Sequence, residues 1–115
     1  MKLKHKMGLY NEPFQSIRSG KKVYEVRLRD EKRRNIQKDD EIEFTNLVTK
    51  EILCVKVTEL KYYQTFQQMY EDIEKELLDC ANWSLQEMLA STYEIYTKEQ
   101  EQKWGTVAIG VEVIA

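Results

Sequence analysis

The sequence predicts an α+β fold, a small closed or nearly closed β-sheet with helices gathered in one stretch of the chain. Two observations predict it. Apolar and polar residues alternate in short segments at residues 20–30, 41–45, 52–60 and 106–114, the period that sets successive side chains on opposite faces of a strand. Between residues 64 and 104 the spacing changes to three and four, with two capping signatures, which is a helical pattern. Strands that each bury one face, with helices segregated in sequence, build α+β domains. A chain of 115 residues, 42% hydrophobic and 10% aromatic, is sized for one domain, residues 1–115, with a core that needs no metal or disulfide.

Taken in order, residues 1–7 alternate Met1, Leu3 and His5 with lysines and read as a short edge strand or a loose arm, in which His5 has no assigned role. Asn11 is a candidate cap for a short helix with Pro13 in its first turn, Phe14 and Ile17 toward the core, and Gly20 as its stop. In the strand of residues 20–30, one face carries Lys22, Tyr24, Val26, Leu28 and Asp30, and the other Lys21, Val23, Glu25, Arg27 and Arg29. Arg33 to Asp40 is a polar turn. Ile42 and Phe44 share one face of the strand 41–45, and a turn at 46–51 leads into the strongest strand, 52–60, rich in Ile, Val and Leu. Phe66, Met69, Tyr70, Ile73 and Leu77 predict a helix over 64–80. Ser84 with Glu87, and Thr97 with Gln100, open two more helices, the last ending near Trp104-Gly105. Val107, Ile109, Val111 and Val113 then alternate along a half-buried closing strand.

The net charge of −2 hides a division: residues 1–38 carry +8 and residues 39–115 carry −10. This predicts one positive surface on an acidic body, or two regions that neutralise one another. An acidic body repels bulk polyanion, so contact with nucleic acid is expected to be local. No apolar run is long enough for a membrane span, and the basic start lacks the apolar stretch of a secretion signal. Cys54 and Cys80 lack CxxC spacing and read as reduced, buried thiols of a cytoplasmic protein. One histidine and no cysteine cluster make a metal site unexpected, and no cofactor is implied.

The chemistry concentrates at Lys22, Glu25 and Arg27. Glu25 and Arg27 share a face, and a buried pair would hold the planar Arg27 fork rigidly toward a base edge or a phosphate. Lys22 lies on the opposite face by parity, but beside Gly20 a twist or bulge can turn it inward. Desolvated there, it would be a candidate base or nucleophile. The same row also fits a solvated face with one ion pair. Tyr62 and Tyr63, after the long strand, are candidates for stacking at a pocket edge, and Tyr93 or Tyr96 for a hydroxyl in the cavity. Arg29, Lys32, Arg33 and Arg34 form a candidate nucleic-acid surface, or a solvated turn.

The string Pro13-Phe14, Ile17, Ser19-Gly20-Lys21-Lys22, Glu25-Val26-Arg27-Leu28, followed by Lys38 to Phe44, resembles the ASCH domain family, small stand-alone bacterial type. Tyr93, Tyr96, Glu99, Glu101 and Trp104-Gly105 ahead of an apolar strand resemble the ending of its small members. The resemblance implies a PUA-like small mixed β-barrel with peripheral helices, and a polar cavity at its mouth lined by Lys22, Glu25 and Arg27. It implies binding of RNA or a modified nucleoside. One branch of the family is an amidohydrolase of N4-acetylcytidine that uses a lysine, a threonine and a glutamate. Here the lysine falls on Lys22, while Glu25 occupies the threonine position and the glutamate falls near Ala81. Asp39 stands where the family usually has glycine, which predicts a looser turn. A binding domain is the favoured expectation. The alternatives are an amidohydrolase using Lys22 and Glu25, and a protein-interaction module working through the acidic helices 64–104.

Overall fold

A computed structural model describes residues 3–114; Met1, part of the expected first strand, lies outside them. The elements are β1 (Lys4–Leu9), α1 (Asn11–Arg18), β2 (Tyr24–Leu28), β3 (Glu41–Asn46), β4 (Ile52–Tyr63), α2 (Phe66–Asp72), α3 (Leu85–Tyr93), α4 (Lys98–Trp104) and β5 (Thr106–Val113). Short 3-10 turns occupy Arg33–Asn35 and Lys75–Leu77. The strands form one sheet in the order β1-β3-β4-β5-β2. β1 pairs parallel with β3, and the remaining pairs are antiparallel.

The sheet curls into a half-barrel whose two edges, β1 and β2, face each other. A register shift between Val57 and Glu59 on β4 adds local coiling. It requires Gly110 opposite, because a Cβ there would lie 2.6 Å from Thr58 Oγ1. One core fills the concave side, with Phe14, Ile17, Ile42, Phe44, Val55, Val107 and Ile109 all buried. A second core lies on the convex side, where α2 and α3 pack on Tyr24, Leu28 and Ala108. β5 is therefore buried on both faces from Thr106 to Val111, not on one as its alternation suggested. Helices on the far side of the sheet cover the face that the alternation leaves toward water.

Four further local expectations change. The strand expected at 20–30 is regular only from Tyr24 to Leu28. Its first residues serve the end of α1 instead: Gly20 takes φ +82°, its N–H donates to Ile17 O at 3.1 Å, and the Lys21 N–H donates to Ser16 O at 3.0 Å, a Schellman stop. Asn11 does not cap α1. Tyr10 occupies that position, and the Asn11 side chain accepts from Asn46 Nδ2 at 2.9 Å. The helix expected over 64–80 stops at Asp72, because Ile73 is extended and the chain turns back to meet β2, where Leu77 O accepts from Val23 N at 2.8 Å. Asp39 keeps the tight turn of its glycine counterparts, at φ +75°, a region that Asp tolerates better than most residues. Both cysteines are free and half-buried.

His5, unassigned from the sequence, is tied down in β1. Its Nε2 lies 2.8 Å from Asp40 Oδ2, and that buried carboxylate also accepts from the Leu3 and Gln37 N–H groups at 3.1 and 3.0 Å. Burial pushes the Asp40 carboxyl up, but its bonds to His5, Gln37 and Leu3 hold it below the usual aspartate range. A folded value below the unfolded one gives stability that is complete above the ordinary value of about 3.9 and lost as pH falls through the folded value. The urea midpoint is therefore expected to drop below about pH 4 more steeply in wild type than in Asp40→Asn. Equal acid slopes in the two proteins would rule this out.

No helix among the described residues is long and apolar enough to cross a membrane.

Candidate functional site

Lys22 precedes the regular part of β2 and so escapes the alternation that placed it on the far face. Its N–H donates to Ser16 O at 3.1 Å, and it forms an isolated bridge with Leu78. From there its Nζ reaches Glu25 Oε1 at 3.2 Å. Glu25 Oε2 accepts from Arg27 Nε at 2.7 Å, and Arg27 Nη2 donates to Gly8 O at 2.8 Å. The seam between β2 and β1 is thus bridged by a side chain. The Glu25 side chain is 5% exposed, against 16% for Lys22 and 15% for Arg27.

Burial alone would raise the Glu25 carboxyl, but the Lys22 ammonium and the Arg27 guanidinium hold it below the usual glutamate range. Burial likewise opposes the Arg27 charge, and Glu25 overrides it and raises Arg27. Two cations on one carboxylate leave one positive charge in excess. This suits an anion or a hydrogen-bond acceptor.

The three side chains line a cavity of about 880 Å³ that spans the seam, inside the range of small-molecule sites. Tyr70, Thr92 and Tyr96 come to its wall from α2, α3 and the turn after α3. Tyr70 Oη and Thr92 Oγ1 lie 2.6 Å apart, and the Thr92 hydroxyl donates to Met88 O at 2.8 Å. Tyr70 is therefore the donor to Thr92, which leaves its own oxygen free to accept. Burial pushes the Tyr70 phenol up to about 12, so it is neutral at physiological pH. Five residues that line the mouth are exposed and apolar or aromatic: Tyr10 (64%), Leu47 (46%), Val48 (70%), Trp83 (43%) and Ile95 (60%). Exposed apolar rims of this kind mark binding sites.

Of the residues singled out in the sequence, Lys22, Glu25 and Arg27 come together here. Tyr62, Tyr63 and Tyr93 do not line the cavity. Tyr62 is exposed with the Arg29 guanidinium 4.3 Å above its ring. Tyr63 Oη donates to Asp72 at 2.5 Å, and burial together with that carboxylate raises the phenol. Tyr93 Oη donates to the buried Glu101 carboxylate at 2.8 Å, which also accepts from Phe66 N at 2.8 Å; the phenol joins α3, α4 and the start of α2. Lys32, Arg33 and Arg34 line a separate groove of about 740 Å³ beside β1, and Arg29 does not. Sequence reasoning missed Tyr10, Tyr70 and Thr92 as members of the cavity and left Trp83 open. A tyrosine directly before a helix and a tryptophan in a polar loop were the available signals. Among the described residues no group of three His, Cys, Asp or Glu side chains is placed to hold a metal.

A sequence profile of the ASCH domain matches residues 7–115. The chain belongs to the ASCH domain family. It is 38% identical to hypothetical protein PH0355, whose crystal structure matches with a TM-score of 0.88 over 97% of this chain and 100% of that one. The solution structure of protein PF0455 from Pyrococcus furiosus is 34% identical, with a TM-score of 0.78 over 97% of this chain and 98% of that one. The ASCH protein of Zymomonas mobilis shares the fold at 16% identity, with a TM-score of 0.66 over 95% of this chain and 66% of that one. A search of curated proteins finds no match. The half-barrel with its helices is thus the PUA-like ASCH fold, and β2 with its Lys22, Glu25 and Arg27 lies within the matched span.

Proposed function

We propose that this ASCH domain binds an unpaired or modified nucleobase, as a free nucleoside or carried on RNA, in the seam cavity. The observation that carries the reading is one cavity holding both a buried, charge-locked Lys22-Glu25-Arg27 cluster and an exposed Tyr10 and Trp83 at its mouth. A base needs a π-face to stack on and fixed polar groups to read its edge. Trp83 and Tyr10 supply aromatic surface, Arg27 a rigid donor, and Tyr70 an acceptor. The acidic helices contribute Tyr70 and Thr92 to this wall, which ties them to the site.

The amidohydrolase alternative asks Glu25 to accept a proton. Two cations hold its charge and lower its basicity, so it serves as the counter-ion that orients Lys22 and Arg27. Binding is the better-supported chemistry.

Calorimetric titration with the common nucleoside monophosphates and N4-acetylcytidine tests the reading. Wild type is expected to bind at least one of them, and Trp83→Ala to weaken that binding by about 1–3 kcal/mol, the range for loss of one base-aromatic stack. Trp83 is exposed, so this variant keeps the fold. Failure of wild type to bind any of them, or full affinity in both Trp83→Ala and Arg27→Ala, overturns it.

A further inference from the structure

We propose that the groove between the outer edge of β1 and the Lys32–Gln37 turn holds the phosphodiester backbone of the single strand whose base enters the seam cavity. The inference rests on the nucleobase reading above and adds a second site. Lys4, Lys6, Lys32, Arg33 and Arg34 line this groove, and no carboxylate is among its lining residues. Five of the twelve basic residues in the first 38 therefore line one groove, on a protein whose remaining chain carries −10.

No close ion pair among the described residues neutralises these cations, although Arg34 Nε donates to Arg29 O at 3.2 Å and its guanidinium lies 5.3 Å from the Trp104 ring. Lys4 and Arg33 have only long pairings, 3.5 Å to Glu43 and 3.5 Å to Asp30. Among the described residues Lys6, Lys32 and Arg34 are exposed and have no carboxylate within ion-pair distance. The Arg33 Nε is buried without an acceptor in the protein. β1 is also the last strand of the sheet, so no strand covers its outer edge.

Gly8 joins the two sites. It borders both the groove and the seam cavity, and its carbonyl is the group that Arg27 holds. A strand lying along β1 would arrive at the cavity mouth where Arg27 bridges the seam. Edge lysines also guard a free strand against pairing with another sheet, and the two roles are separable by experiment.

The test titrates the full chain with CMP and with a single-stranded oligocytidylate of about eight nucleotides, a length within the site sizes of single-strand-binding OB folds, across a series of salt concentrations. The proteins are wild type, Trp83→Ala, and the surface triple variant Lys6→Ala/Lys32→Ala/Arg34→Ala. Wild type is expected to bind the oligonucleotide at least about tenfold tighter than CMP at low salt. The triple variant is expected to lose that gain, to lower the slope of log affinity against log salt by about 2 (three contacts at about 0.7 each), and to bind CMP as before. An oligonucleotide bound no better than CMP, or an unchanged slope in the triple variant, overturns the groove while leaving the cavity reading intact. The opposite result, no binding of CMP and no effect of Trp83→Ala but salt-dependent oligonucleotide binding lost in the triple variant, overturns the cavity reading and the link between the sites.

Discussion

Glu25→Ala is expected to lower stability by about 3–5 kcal/mol, the cost of removing one partner from a buried ion pair. Two cations depend on this carboxylate, Lys22 Nζ at 3.2 Å and Arg27 Nε at 2.7 Å. Without it they face each other with no carboxylate between them, and Arg27 loses the bond that aims it at Gly8 across the seam. Glu25→Gln keeps the shape and an acceptor but not the charge, so its loss should be smaller. A double-mutant cycle separates the terms: Lys22→Met made together with Glu25→Ala should cost less than the sum of the single changes. Urea unfolding of the four proteins reads the result. A Glu25→Ala midpoint equal to that of wild type would show that the cluster is solvated and that its geometry has no energetic weight.

Phe66→Ala is expected to cost about 3–5 kcal/mol as well, through a different mechanism. Phe66 is fully buried at the head of α2, with Thr65 as its cap and Glu101 accepting its N–H. Its ring centroid lies 5.5 Å from that of Tyr96 and 6.3 Å from those of Tyr70 and Tyr93. Truncation opens a void that three large rings cannot close without leaving their rotamers. Two of those rings, Tyr70 and Tyr96, line the cavity. Nucleotide affinity should therefore fall even at temperatures where the variant remains folded. Phe66→Leu, which refills part of the void, should recover much of the stability and of the binding. Full stability in Phe66→Ala would mean that the convex core repacks freely.

The sequence was most legible where local chemistry decides the outcome. The capping boxes at Ser84-Glu87 and Thr97-Gln100 form with both of their bonds, since four consecutive residues contain everything needed. Phe14 and Ile17 are buried as their spacing requires. Legibility failed where a residue answers to something distant in the chain. Apolar periodicity continues from Phe66 through Ile73 to Leu77, yet the helix ends at Asp72 because the Val23 N–H, more than fifty residues earlier, is met by Leu77 O. Tyr62, Tyr63 and Tyr93 carry the same aromatic chemistry as Tyr10, Tyr70 and Trp83. Only tertiary packing decides which of the six border the cavity.

By itself the sequence determined the fold class, the family, and the Lys22, Glu25 and Arg27 set, because strand period, capping signatures and a set contained within residues 22–27 are all local. The tertiary structure decided what that set faces. A half-barrel leaves two edges apart, Arg27 bridges them to Gly8, and a cavity opens at the seam with a basic groove beside it. No stretch of sequence contains that arrangement, because β1 and β2 are neighbours along the chain but occupy opposite ends of the sheet, and they meet only through its curl.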